Sequence, residues 1–347
     1  MNAFRNIAAF IDGTDCDFGK QARRKWSNVT RLYKMCEQLR LTGAAQQVAQ
    51  YFDGVGARKY ESLVLDKIFG KELSGRVSEA YGWIKKEVAN ARRDKVEPRI
   101  YLFGFSRGAF GVRWLASLLD RCGVPADNEN KIDFINAFAN GDQKAISQLR
   151  EEGRSESVAV WMLGVFDTVK ARPGSEYGVR CLPGNVRFAC HAMAIDEWRV
   201  NFDVLAFDDG QRPVIDQKWF AGGHSDIGGG YGDPLAIDAE TRAERLASDV
   251  ALDWMVGHAR AKGLIFTSSF RPFSFDKNLK PVFHDARTWY YKLCNVLVKL
   301  TARFLRVIPD AAVVDDTVPF WQRKFGLTHD NYNETANPKS TRLAFFG

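Results

Sequence analysis

The chain has 347 residues, of which 46% are hydrophobic and 26% charged; that balance excludes a disordered chain and is enough to build a full core. Lysine and arginine number 49 against 42 acidic residues, a net charge of +7, which favours anionic partners in general and requires neither nucleic acid nor a membrane. Six cysteines at 16, 36, 122, 181, 190 and 294 form neither a close pair nor a metal-ligand spacing, so a disulfide framework and a zinc ribbon are both disfavoured.

From the N-terminus, Ile7 to Ile11 reads as a buried strand ending at Asp12-Gly13-Thr14, because a short apolar run bounded by turn residues is the strand signature. It is too short for a signal peptide, and no stretch reaches the ~18 to 20 apolar residues of a membrane span. The expectation is a soluble protein, cytoplasmic as synthesised. Further strand-like runs are Val48 to Phe52, Ile100 to Phe105, Val158 to Phe166, Val204 to Phe207 and Trp219 to Ala221. Helical patterns lie between them: Ser27 can cap a helix to about Leu39, Ser74 one to about Arg92, and 108–120 and 242–262 carry apolar residues at helical spacing. Alternating strands and helices imply an α/β fold with a mostly parallel sheet covered on both faces. A prior of roughly 150 residues per domain allows two domains. The irregular stretches 170–187 and 267–287 do not resemble linkers, so the expectation is a core over 1–265 with loop insertions and a C-terminal decoration, 266–347, packed on the same domain.

One segment carries chemistry. The apolar run Ile100 to Phe105 enters Gly104-Phe105-Ser106-Arg107-Gly108, and an amphipathic helix follows, which is the setting of a nucleophile elbow. Glycines are needed because a β-carbon at either position would collide with the neighbouring strand or helix while the serine hydroxyl projects above the sheet. A serine at a helix N-terminus also faces unpaired N–H groups that favour an oxyanion.

A serine hydroxyl needs a base, and the base an orienting acid, in the chain order Ser, Asp, His. All five histidines follow Ser106. His258 falls in a helical pattern and His191 in an expected helix, while His284 and His329 have polar C-terminal surroundings. His224 differs, since Gly222-Gly223-His224 follows a strand end and opens a glycine-flanked loop that can curl over the sheet edge. Asp167 stops the apolar run 158–166, where a carboxylate can fix the imidazole tautomer; Asp203 is the fallback. The expected oxyanion donors are the N–H of Arg107 and those of Gly13 and Thr14.

Phe-Ile-Asp-Gly-Thr at 10–14, Gly-Phe-Ser-Arg-Gly-Ala-Phe at 104–110, Gly-Val-Phe-Asp-Thr-Val at 164–169, Ala-Ile-Asp-Glu-Trp-Arg at 194–199 and Trp-Phe-Ala-Gly-Gly-His-Ser-Asp-Ile-Gly-Gly-Gly-Tyr at 219–231 together resemble the catalytic domain of the type VI secretion phospholipase effectors. The resemblance covers about 5–265 and implies an α/β-hydrolase fold. It implies a Ser-Asp-His esterase in which Ser106, Asp167 and His224 occupy the matching motif positions, with phospholipase A-type substrates cleaved at an acyl ester; no cofactor or metal is expected. It also brings export by a signal-less route, with a secretion or immunity partner, into consideration, although the chain shows no clear adaptor or membrane-inserting domain.

Across 289–307, Trp289, Leu293, Val296, Leu297, Leu300, Phe304 and Val307 fall on one helical stripe, with Lys292, Lys299, Arg303 and Arg306 largely apart from it. Such a helix can rest on a lipid surface as a peripheral membrane contact; a core-packing helix with a solvated basic face is the favoured reading. Other chemistries fit less well. The segment 13–21 has the wrong glycine spacing for a phosphate loop and Gln21 in place of a Mg²⁺-binding hydroxyl. Phe10 stands where a haloacid-dehalogenase-like site needs its nucleophilic aspartate. Asp12, Asp15, Asp53 and Asp226 supply oxygens suited to a hard cation, but loop hydrogen bonds are favoured for them. No nucleic-acid recognition motif is present. A simple carboxylesterase and a non-catalytic module on a hydrolase scaffold stay as alternatives.

Overall fold

The computed structural model describes residues 3–13, 26–41, 46–54, 65–125, 155–170, 179–199, 202–208, 214–233, 238–267, 278–286 and 312–325, with isolated positions at 142–148, 306 and 308. In chain order the strands are β1 (Phe4–Ile11), β2 (Gln47–Phe52), β3 (Glu97–Phe105), β4 (Val124–Pro125), β5 (Ser155–Glu156), β6 (Val160–Phe166), β7 (Ala189–Ala194), β8 (Ile215–Phe220) and β9 (Val313–Val314). The helices are α1 (Asn28–Leu41), α2 (Leu65–Arg93), α3 (Arg107–Cys122), α4 (His224–Gly228), α5 (Ala239–Ala261) and α6 (Thr317–Phe325). A seven-stranded sheet in the order β2-β1-β3-β6-β7-β8-β9 is parallel at every pairing. β4 and β5 form a separate antiparallel pair.

The strand sequences explain why the sheet is covered on both sides. Side chains alternate between faces along a strand, and in β1 Ala8 and Phe10 enter one core cluster while Ile7, Ala9 and Ile11 enter the other. The first face lies under α1 and α5, the second under α2 and α3. The chain leaves β1 outward to β2 and returns across β1 to β3, so the strand order reverses between β1 and β3. In open parallel sheets the crevice at the carboxyl ends of the strands flanking such a reversal is where ligands bind. Asp12-Gly13 and Ser106 stand there.

Two expected elements differ. His191 lies in β7, a strand buried along its whole length, and not in a helix. Ala189-Cys-His-Ala-Met-Ala has helical propensity, but pairing on both edges overrides it. In 204–207 only Val204 makes a bridge, to Val169. Ser27 caps α1 through a hydrogen bond from the Thr30 N–H at 3.0 Å, whereas Ser74 sits inside α2, which begins earlier than its apolar spacing predicts.

Candidate active site

The site grows from four neighbouring strand ends. Ser106 follows β3, and its N–H donates to the Phe166 carbonyl at the end of β6. Asp167 follows β6, and its N–H donates to the Ala192 carbonyl of β7. The segment after β7 is tied to the one after β8 by Asp196 N–H to Gly222 carbonyl and Gly222 N–H to Asp196 Oδ2. His224 opens α4 immediately beyond. Sheet register therefore sets the spacing of these residues.

Ser106 adopts φ 58° and ψ −125° as the residue before α3, and Asp167 adopts φ 39°. With Lys95, they are the described non-glycine residues at positive φ, a strained backbone that only surrounding contacts can maintain. The glycines around Ser106 make the turn sterically feasible. A β-carbon on Gly104 would lie 2.6 Å from the Gly108 carbonyl oxygen, and one on Gly108 would lie 2.3 Å from the carbonyl oxygens of Ile11 and Asp12. The first contact closes β3 on α3; the second closes α3 on β1.

His224 Nε2 lies 2.8 Å from Ser106 Oγ, and His224 Nδ1 lies 2.6 Å from Asp167 Oδ2. All three residues are buried. The Phe105 ring centroid is 4.6 Å from that of the imidazole and Phe202 stands edge-on at 5.0 Å, so the ring has apolar walls. Burial draws the His224 pKa below the ordinary histidine value, against the hydrogen bond and charge of Asp167; the neutral ring is a proton acceptor at neutral pH. Burial alone would raise the Asp167 carboxyl, but the charge of Arg306 and the His224 hydrogen bond outweigh it and hold the group well below the usual carboxylate range.

The 194–199 motif, to which sequence reasoning assigned no role, holds this arrangement from behind. Asp167 Oδ1 accepts the Ala194 N–H at 2.8 Å. Glu197 accepts the His224 backbone N–H at 3.2 Å and is gripped by Arg199, whose guanidinium lies 3.5 Å over the Phe202 ring.

Other expected residues fall as follows. Asp203 is exposed and the imidazole bonds Asp167 in its place. The Gly13 N–H donates to its neighbour Asp12 at 2.6 Å, so it is engaged there and not offered to an incoming oxyanion in this conformation. Thr14, Asp15 and His329 lie outside the described residues. Asp12 accepts from Ser27, from Thr30 on α1 and from Tyr51 on β2, and Asp226, on α4, accepts from Gly223 and His284; no group of three or more cation-binding side chains occurs among the described residues. His258, on α5, pairs with Asp216 on β8. The helix expected over 289–307 lies outside the described residues except for Arg306. Arg306 is not on a solvated face: it is buried and its guanidinium meets Asp167.

The family model for the type VI secretion system phospholipase effector Tle1-like catalytic domain matches residues 5–258, well over half of the chain. The chain belongs to this family. Among curated proteins, the Tle1-like chain is 26% identical over 247 residues to the uncharacterized protein YEL023C of Saccharomyces cerevisiae, covering 58% of this chain and 33% of that protein. Among solved structures it is similar to an uncharacterized protein from Pseudomonas aeruginosa, with a TM-score of 0.50 and 15% identity, covering 87% of this chain and 51% of that one. A structure of the Tle1 effector bound to the VgrG spike from the type VI secretion system matches with a TM-score of 0.39 and 20% identity, covering 68% of this chain and 53% of that one. The chain thus spans a third to about half of the length of these relatives. Its fold is α/β-hydrolase-like, with an all-parallel sheet carrying helices on both faces. All the family motifs quoted above fall inside the matched stretch, whereas Arg306 lies beyond it.

Proposed function

We propose that this Tle1-like protein is a serine esterase that cleaves an acyl ester of phospholipids. The observation that carries the reading is the continuous line Ser106 Oγ, His224 Nε2, His224 Nδ1, Asp167 Oδ2, with hydrogen-bond distances of 2.8 and 2.6 Å. In the proposed reaction His224 takes the proton of Ser106 as Oγ attacks the ester carbonyl, and the Asp167 carboxylate stabilises the imidazolium that results. The Arg107 N–H at the start of α3 donates to the oxyanion. The tetrahedral intermediate collapses, the alcohol leaves with the proton from His224, and an ester forms on Ser106. Water, deprotonated by His224, then releases the fatty acid.

Family membership supports phospholipid as the substrate class. Synthesis in the cytoplasm followed by signal-less export, with a secretion-related or immunity protein as partner, is part of the same proposal. The deciding experiment treats wild type and Ser106→Ala with a fluorophosphonate probe and with phospholipid vesicles. Wild type is expected to label and to release fatty acid, and Ser106→Ala to do neither. Equal labelling of the two would refute the serine mechanism. Labelling with turnover of a water-soluble ester, but no release from vesicles, would replace the phospholipase by a carboxylesterase.

A further inference from the structure

Arg306 reaches Asp167 from 139 residues further along the chain. Its Nη1 donates to Asp167 Oδ1 at 2.7 Å and its Nη2 to Asp167 Oδ2 at 2.9 Å. The same fork donates to the Ala194 carbonyl at 2.8 Å and to the Phe202 carbonyl. One cation therefore grips the carboxylate and the backbone on either side of it, including the residue whose ring walls the imidazole. A bidentate guanidinium fixes a carboxylate in plane and direction, and each Asp167 oxygen is left with one further donor: the Ala194 N–H on Oδ1 and His224 Nδ1 on Oδ2.

We propose, resting on the serine-esterase reading, that Arg306 is a positioning residue of the site: its fork holds the Asp167 carboxylate in line with His224 and draws off part of the negative charge that the imidazole would otherwise meet alone. The other charged and titratable groups facing this pair are Glu197 and Arg199 after β7, which neutralise one another, and His191 on β7 with Arg113 on α3 behind Asp167. Arg306 is the cation among them that bonds the carboxylate directly.

The sign of the effect follows. Without Arg306 the whole charge of Asp167 acts on His224 and favours the imidazolium, so the base is lost at a higher pH. The test compares wild type, Arg306→Met, Arg306→Lys and Ser106→Ala. Competent sites are counted by fluorophosphonate labelling, and the pH dependence of kcat/KM is measured per competent site. Arg306→Met is expected to move the acid limb up by about one pH unit, as loss of one nearby charge at intermediate dielectric would, and to slow turnover at neutral pH roughly 10- to 100-fold through misorientation. Arg306→Lys keeps the charge without the fork, so its acid limb should stay in place while its rate falls.

An unmoved limb and a wild-type rate per competent site in Arg306→Met would overturn the proposal and leave Arg306 a strut for the C-terminal segment. If Arg306→Met does not fold, Arg306→Lys decides: a wild-type rate per competent site overturns the role of the fork. A fully active Ser106→Ala would instead remove the esterase reading itself, so the two failures are separable.

Discussion

Replacing Asp167 by Asn keeps the shape of the side chain and changes only its donors and acceptors, which makes the consequence calculable from the contacts. Both carboxylate oxygens accept two donors: Oδ1 from Ala194 N–H and Arg306 Nη1, Oδ2 from His224 Nδ1 and Arg306 Nη2. The amide NH₂ must face one of these pairs. Towards Ala194 it would oppose two groups that cannot become acceptors, each left unsatisfied at about 1–3 kcal/mol. Towards His224 it opposes only one such group, because the imidazole can change tautomer and accept at Nδ1. The second placement wins, and it turns a His224 Nε2–H towards Ser106, where a proton acceptor is needed. The expected loss is about 10⁴-fold in kcat, the size seen when the same tautomer error is made in a triad protease, or about 5 kcal/mol of barrier. The assay is kcat on a soluble ester and on vesicles, normalised to folded protein, with Tm recorded because Arg306 loses its charge partner in a buried site. A variant within tenfold of wild type at neutral pH would refute the role given to Asp167.

Two further outcomes test the scaffold. Burial, and then the charge of Arg113, push His191 down to about 3 from an ordinary 6.5; the folded protein refuses a proton that the unfolded chain accepts between those values, so stability falls as pH drops through that window. His191→Gln removes this contribution, and urea midpoints measured across the window should fall less steeply than those of wild type; parallel curves would contradict it. Gly108→Ala places a β-carbon 2.3 Å from two main-chain carbonyl oxygens of the β1 end, which no side-chain rotation can relieve. It should cost at least about 1–3 kcal/mol, read as a lower Tm together with slower probe labelling, and an unchanged Tm would show that α3 can shift without consequence.

The parts of the molecule legible in the sequence are those where a local pattern and its tertiary use coincide. β1, β3 and β6 are continuous apolar runs that end in turn residues, and a parallel strand buried on both faces needs little else to be recognised. Ser106 and Asp167 stand where those runs stop, and His224 follows shortly after β8, so their shared location at the strand ends could be anticipated from the order of elements. β7 could not, because Ala189-Cys-His-Ala-Met-Ala lacks the β-branched and aromatic residues that mark a strand, and its pairing with β6 and β8 decides its form. Arg306 is harder still. On the polar side of a helical stripe an arginine reads as solvated, and only the fold turns it inward to Asp167. The Gly13 N–H escapes for a related reason, since its engagement by Asp12 depends on the rotamer of one side chain.

The amide links that join the ends of β3, β6, β7 and β8 run through Ser106, Asp167, Asp196 and Gly222 themselves. Ser106 and Asp167 thus hang directly from strand ends, and His224 opens the helix just beyond β8. On heating, chemistry and sheet should fail together, so whatever raises the melting point of the core also widens the temperature range over which the protein can work.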